Sequence, residues 1–195
     1  MATATVPLIA ELEGYRSQFN SAREEFRNLV EGLNDEQFNW RPAENAWSMA
    51  ECIDHLVMIG TIMGRNIDEA LEKAEARGLK SDGPFKYGAI GNWFVRAVSG
   101  SDEGRRRKFK APATYTPTSN HTISRLDAAF NEVQDRFVER VERSNGVDLA
   151  RVKMPSPISR FIRLSLGQWL ALLAGHQERH LLQAKDVRDK LPSGG

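Results

Sequence analysis

Four stretches of the chain repeat their apolar residues every three or four positions, the spacing expected of amphipathic helices. They cover residues 8–33, 48–77, 119–143 and about 165–191. Alternation of apolar and polar residues is nowhere sustained enough to predict a strand. The pattern therefore predicts an all-α fold, a four-helix bundle built by a single domain over residues 1–195 with a frayed tail at 192–195.

Three helix starts carry a capping box, in which a side-chain oxygen and a carboxylate or amide three residues later bind each other's free backbone N–H groups. The pairs are Asn34 with Gln37, Ser48 with Glu51, and Ser165 with Gln168. Gly60 and Gly64 lie inside the second helix, where each costs about 1 kcal/mol relative to alanine. We interpret both glycines as places where another element approaches closely.

The connection from residue 79 to residue 117 is long and rich in glycine, proline and serine. It holds one predicted short helix around residues 92–98. A connection of this length in a compact domain is usually functional, and we expect a lid over a site between helices. Its basic run at 104–110 is either a solvated loop or a nucleic-acid patch.

Composition narrows the function classes. The chain is 41% hydrophobic and 27% charged, as in an ordinary globular protein, and its net charge of +1 gives little attraction for nucleic acids or acidic membranes. A single cysteine excludes an internal disulfide and suits a reducing cytosol. Neither a secretory signal nor an apolar run of ~20 residues is present. We expect a cytoplasmic protein with no membrane partner, and the net charge favours a solvated loop over a nucleic-acid patch for the basic run.

Two histidines interrupt the apolar stripe of the last helix. His176 and His180 are four residues apart, so both imidazoles face one side of the helix. Buried imidazoles need partners for both ring nitrogens, and a divalent metal is the simplest group to join two of them. His55, on an apolar face of the second helix, is the candidate third ligand. His121 we expect to be exposed and structural.

Three protein ligands leave an open position, the arrangement of catalytic metal sites. Cys52 could add a thiolate, although a buried free cysteine is more often a core residue. Gln183 could bind an imidazole or a substrate, or it could be an exposed polar residue with neither role. The residue after His176 is Gln177, so the general base of a His-Glu-x-x-His site is absent. The residues alone leave open a second interpretation, with three separately hydrogen-bonded core histidines.

Residues 40–42 (WRP), 47–56 (WSMAECIDHL) and 176–183 (HQERHLLQ) together resemble the DinB/YfiT superfamily, in order and over nearly the whole chain. The resemblance implies a four-helix bundle with a divalent-metal site formed by His55, His176 and His180. Relatives include transferases and isomerases that use low-molecular-weight thiols such as bacillithiol or mycothiol, while many have no known activity.

We therefore expect a metal-dependent enzyme that activates a thiol or water for reaction with a small-molecule substrate, with a low-molecular-weight thiol as co-substrate. Zinc is the first choice of metal, and nickel, iron or manganese also suit three nitrogens. The alternative is a non-catalytic bundle that binds a ligand or partner and keeps a structural or vestigial metal. Apolar stripes of this kind also serve dimer interfaces, so a homodimer is compatible with the sequence.

Overall fold

The computed structural model describes residues 7–100, 115–156 and 162–192. The elements, in chain order, are α1 (Ala10–Val30), α2 (Asp35–Asn39), α3 (Met49–Ala76), α4 (Ala89–Val98), α5 (Ile123–Arg143), β1 (Lys153–Pro155), β2 (Arg163–Ser165) and α6 (Leu166–Arg188). The four long helices are α1, α3, α5 and α6, so the predicted all-α class is confirmed. The short helix predicted in the middle connection is α4.

The four long helices form a bundle in which α1 contacts α5, α5 contacts α3, α3 contacts α6, and α6 contacts α1. Helix α3 therefore lies diagonally across from α1, and α4 packs against α6. Two clusters of buried side chains fill the interior, one around Phe19, Ile67 and Phe137 and the other around Phe26, Phe38 and Phe130. Within the described ranges, none of the helices combines the length and apolarity needed to cross a membrane.

All three predicted capping boxes are present. At the start of α3, Ser48 Oγ accepts a hydrogen bond from the Glu51 N–H at 3.1 Å, and Glu51 Oε2 accepts one from the Ser48 N–H at 2.8 Å. The buried Glu51 carboxylate also pairs with the Arg41 guanidinium. These contacts fix where α3 begins, and thereby the direction in which His55, two turns later, leaves the helix.

The two glycines of α3 lie at close contacts with α5. A Cβ on Gly60 would come within 2.5 Å of Val133 Cγ1, and one on Gly64 within 2.7 Å of Arg140 Cζ. At Gly60 the neighbour is a short, branched side chain that cannot move aside, so this helix spacing requires glycine there. At Gly64 the neighbour is the guanidinium end of Arg140, which a side chain at that position would displace. The interpretation of both glycines as packing positions is confirmed.

Two predictions of local structure were wrong. Helix α5 begins at Ile123 with Thr122 as its N-cap, four residues later than predicted, because residues 115–121 are held in an irregular path by α2 and α3. The antiparallel pair of β1 and β2, with Met154 opposite Leu164, was not predicted. Each strand has three residues, too few for alternation to be visible. The basic run at 104–110 lies outside the described residues, and the lid stays a prediction.

Candidate metal centre

The structure brings the three predicted histidines together. His55 projects from α3, and His176 and His180 project from the adjacent α6. Each histidine offers one ring nitrogen, and these three nitrogens lie within 4.8 Å of one another. The Nε2 atoms of His176 and His180 are 3.1 Å apart. Among the described residues, this is the one cluster of histidine, cysteine, aspartate or glutamate side chains with metal-ligand spacing.

Hydrogen bonds on the outer side of two rings fix their orientation. His55 Nδ1 lies 2.8 Å from the Tyr115 carbonyl oxygen, and His180 Nδ1 lies 3.1 Å from Gln183 Oε1. Because both oxygens can only accept, each Nδ1 carries the proton and donates it. The lone pair of each ring is then on Nε2, the atom available to a metal. Of the alternatives that the sequence left open for Gln183, the structure shows contact with an imidazole.

The histidines sit in surroundings that keep them neutral. Burial lowers the pKa of His55, and the hydrogen bond to Tyr115 opposes that shift only in part. Burial, followed by electrostatic interactions with His55 and Arg179 that disfavour a second positive charge, lowers the pKa of His176 to about 3. The pKa of His180 falls well below its ordinary value, again mainly through burial. Neutral imidazoles hold free lone pairs at neutral pH, as a metal ligand must.

Trp47 forms one wall of the cluster. Its ring centroid lies 5.0 Å from that of His55 and 5.6 Å from that of His180, where the planes are within 25° of parallel. Trp47 thus covers two imidazoles and shields that side of the cluster from water. His55 and His180 are 4% and 8% exposed, whereas His176 as a whole residue is half-buried.

The donor set fits a divalent metal. Two nitrogens bound to zinc at 2.0–2.1 Å with a tetrahedral angle are about 3.3 Å apart, close to the 3.1 Å between Nε2 of His176 and His180. Three neutral imidazoles from two rigid helices would leave further coordination positions free. His55, His176 and His180 are thus the residues that would hold the ion.

The possible fourth ligand Cys52 and the remaining histidine, His121, both lie outside this cluster. Cys52 is fully buried in the core, where burial raises the pKa of its thiol, and it is not part of the histidine cluster. His121 was expected to be exposed, and that expectation was wrong. Its side chain is 8% exposed and contacts Thr118 and Asp54. Sequence reasoning missed the Tyr115 carbonyl, because a backbone group carries no residue-type signal.

Bundle architecture and histidine cluster together define a class, the DinB superfamily, whose sequence profile matches residues 18–184. The chain belongs to this superfamily. Among individual proteins, it is 27% identical over 176 residues to the uncharacterized protein YuaE of Bacillus subtilis (strain 168). That alignment covers 90% of this chain and 98% of YuaE.

Gln183 offers a direct test of the orientation of His180. We expect Gln183→Leu to weaken zinc binding by about tenfold, because the Nδ1–H of His180 loses its acceptor. Gln183→Glu keeps an acceptor oxygen and should bind zinc at least as tightly as the wild type. Competition against a chromophoric chelator measures both affinities. Equal weakening in the two variants would show that the hydrogen bond is unimportant.

Proposed function

We propose that this protein is a metal-dependent enzyme in which His55, His176 and His180 hold a divalent ion, zinc in the first instance. The observation that supports this most strongly is the convergence of three neutral imidazoles, two of them oriented by acceptors on their outer nitrogens. The 3.1 Å between the Nε2 atoms of His176 and His180 suits a hydrogen bond between the two rings as well as shared ligation of one ion, so the proposal rests on the arrival of His55 from a second helix at the same point.

A bound divalent metal lowers the pKa of a thiol or water in an open coordination position and so supplies a nucleophile at neutral pH. The side chains around the cluster provide the setting for that chemistry. Gln183 and the Tyr115 carbonyl orient two rings, and Trp47 excludes water on one side. The greater accessibility of His176 favours substrate entry on its side of the site.

We infer further that the thiol, where a thiol reacts, is a separate small molecule. The chain contains one cysteine, Cys52, and its side chain has no exposed surface. Its raised pKa keeps it protonated, and a protonated thiol is not the attacking species. A low-molecular-weight thiol S-transferase is therefore the specific activity we propose, in a reducing compartment such as the cytoplasm.

One observation favours a second candidate function, a bundle that binds a ligand or partner without turnover. The cluster of His55, His176 and His180 includes no carboxylate that could act as a general acid or base. In this case the metal would contribute to the stability of the α3–α6 contact. Metal removal would then lower the melting temperature and abolish no reaction.

The two proposals are separated by an activity screen on protein loaded in turn with zinc, nickel, manganese and iron. Consumption of low-molecular-weight thiols is followed with alkylating electrophiles, and water attack is followed with ester substrates. We expect turnover with at least one metal and its loss in His180→Ala, whose fold is checked by circular dichroism. Unchanged turnover in a folded His180→Ala would remove the cluster from the mechanism. No turnover, with a chelator-sensitive melting temperature, would favour the binding function.

A further inference from the structure

We propose that Asp54 is a positioning residue of this metal centre. Acting through Thr118, it holds residues 115–122 so that the Tyr115 carbonyl keeps His55 Nε2 turned toward His176 and His180. This inference rests on the proposed metal-binding function. It assigns the carboxylate next to a ligand histidine a role that the histidine cluster itself does not reveal.

Asp54 does not orient His55 by direct contact in the way a carboxylate partner of a metal-bound histidine usually does. Consecutive residues on a helix point about 100° apart, so the carboxylate and the imidazole leave α3 in different directions. Asp54 Oδ2 instead accepts hydrogen bonds from the Thr118 backbone N–H at 2.8 Å and from Thr118 Oγ1 at 3.1 Å. The carboxylate thus joins a loop residue to the ligand-bearing helix.

The loop is fixed on its other side as well. Asn39 of α2 accepts a hydrogen bond from the His121 N–H at 3.0 Å and donates one to the His121 carbonyl at 2.7 Å. His121 Nε2 lies 3.0 Å from Thr118 Oγ1, 3.1 Å from the Thr118 carbonyl and 3.6 Å from Asp54 Oδ1. Asn120, which lies between Thr118 and His121 in the chain, adopts a left-handed backbone conformation with a φ of 67°. Residues 118–121 therefore form a short, internally bonded unit clamped between α2 and α3.

Tyr115 precedes this unit by three residues, and its carbonyl is the acceptor for His55 Nδ1–H. If Thr118 is released from α3, the carbonyl loses its fixed position and the His55 ring becomes free to turn. Loss of an outer partner of a metal-bound histidine typically costs about 10- to 100-fold in metal affinity. We expect the same range for loss of the Asp54 contact.

Because Asp54 also carries a negative charge near the site, the variants must separate charge from position. Asp54→Ala removes both, whereas Asp54→Asn removes the charge and keeps an oxygen that can accept both hydrogen bonds from Thr118. Glu69→Ala removes an exposed carboxylate from the same helix, about 20 Å along the axis from His55. Thr118→Val removes the hydroxyl that contacts both Asp54 and His121 and keeps the backbone N–H bond to Asp54, and it replaces Asp54→Ala if that variant does not fold.

Two measurements decide the proposal. Zinc affinity by chelator competition should fall at least about tenfold in Asp54→Ala, recover in Asp54→Asn and stay unchanged in Glu69→Ala. Nitrogen-15 NMR of the histidine rings in metal-free protein should show His55 protonated at Nδ1 in the wild type and in Asp54→Asn. In Asp54→Ala, that single form should give way to a mixture of tautomers.

Two outcomes would overturn the inference. In the first, Asp54→Asn binds zinc as weakly as Asp54→Ala, so that charge and not position is responsible. In the second, His55 keeps its Nδ1 proton in Asp54→Ala. A wild-type protein that binds no metal would instead contradict the proposed function, and the NMR comparison would still decide whether Asp54 orients His55.

Discussion

Replacing His55, His176 and His180 together by alanine is expected to abolish metal binding while the bundle stays folded. In the proposed site each imidazole is one of three ligands, so the triple variant would leave a divalent ion with no protein ligand and release it into solution. Elemental analysis of protein purified without an affinity tag should find about one transition metal per wild-type chain. The triple variant should contain none, and circular dichroism should show the same helical content.

Cys52→Ala is the matched control for this experiment. Its side chain lies one turn from His55 but inside the core, so we expect full metal content. Loss of metal in Cys52→Ala would show that the thiol is a ligand after all. A wild-type protein that is purified without metal and fails to take up zinc or nickel would contradict the metal site. The non-catalytic binding function would then be the better account of this bundle.

Gly60→Ala is expected to destabilise the protein, although alanine is the better helix former. The added Cβ would lie 2.5 Å from Val133 Cγ1 and 3.2 Å from Phe137 Cε2, so α5 must move away from α3. Such overpacking usually costs about 1–3 kcal/mol, which outweighs a gain in helix propensity of about 1 kcal/mol. Urea unfolding of the two proteins measures the net loss.

Gly14→Ala is the internal comparison, because nothing lies within 4 Å of the Cβ it would carry in the second turn of α1. Here the gain in helix propensity stands alone, and we expect stabilisation of up to about 1 kcal/mol. The two glycine substitutions should therefore change the free energy of unfolding in opposite directions. Stabilisation by both would mean that α3 and α5 are not in close contact at Gly60.

The relation between two of the three histidines could be predicted from the sequence, whereas the position of the third could not. Spacing alone predicted that His176 and His180 share a helix face, because that relation is set within one turn. The candidacy of His55 rested on its apolar helix face. Its distance from the other two histidines depends on how α3 packs against α6. The resemblance to the superfamily supplied that expectation, and the tertiary structure supplied the geometry.

For His121, by contrast, the sequence indicated the wrong environment. Its polar neighbours Thr118, Ser119 and Asn120 are typical of an exposed helix start, and exposure was the expectation. Contacts with Asn39 and Asp54, both distant in sequence, bury it instead. Those same contacts delay the start of α5 to Ile123 and place the Tyr115 carbonyl on His55. The contacts that hold residues 118–121 against α2 and α3 thus account for the burial of His121, the late start of α5 and the position of the Tyr115 carbonyl.

The sequence by itself determined the helices, their capping boxes and the histidine pair on α6, because these depend on interactions between residues within about one helical turn. Only the tertiary structure decided that α5 lies against Gly60 and that a backbone carbonyl orients His55. It also decided that β1 pairs with β2. These features depend on contacts between segments far apart in the chain, whose energies come from the packing of the whole bundle and leave no local pattern in the sequence.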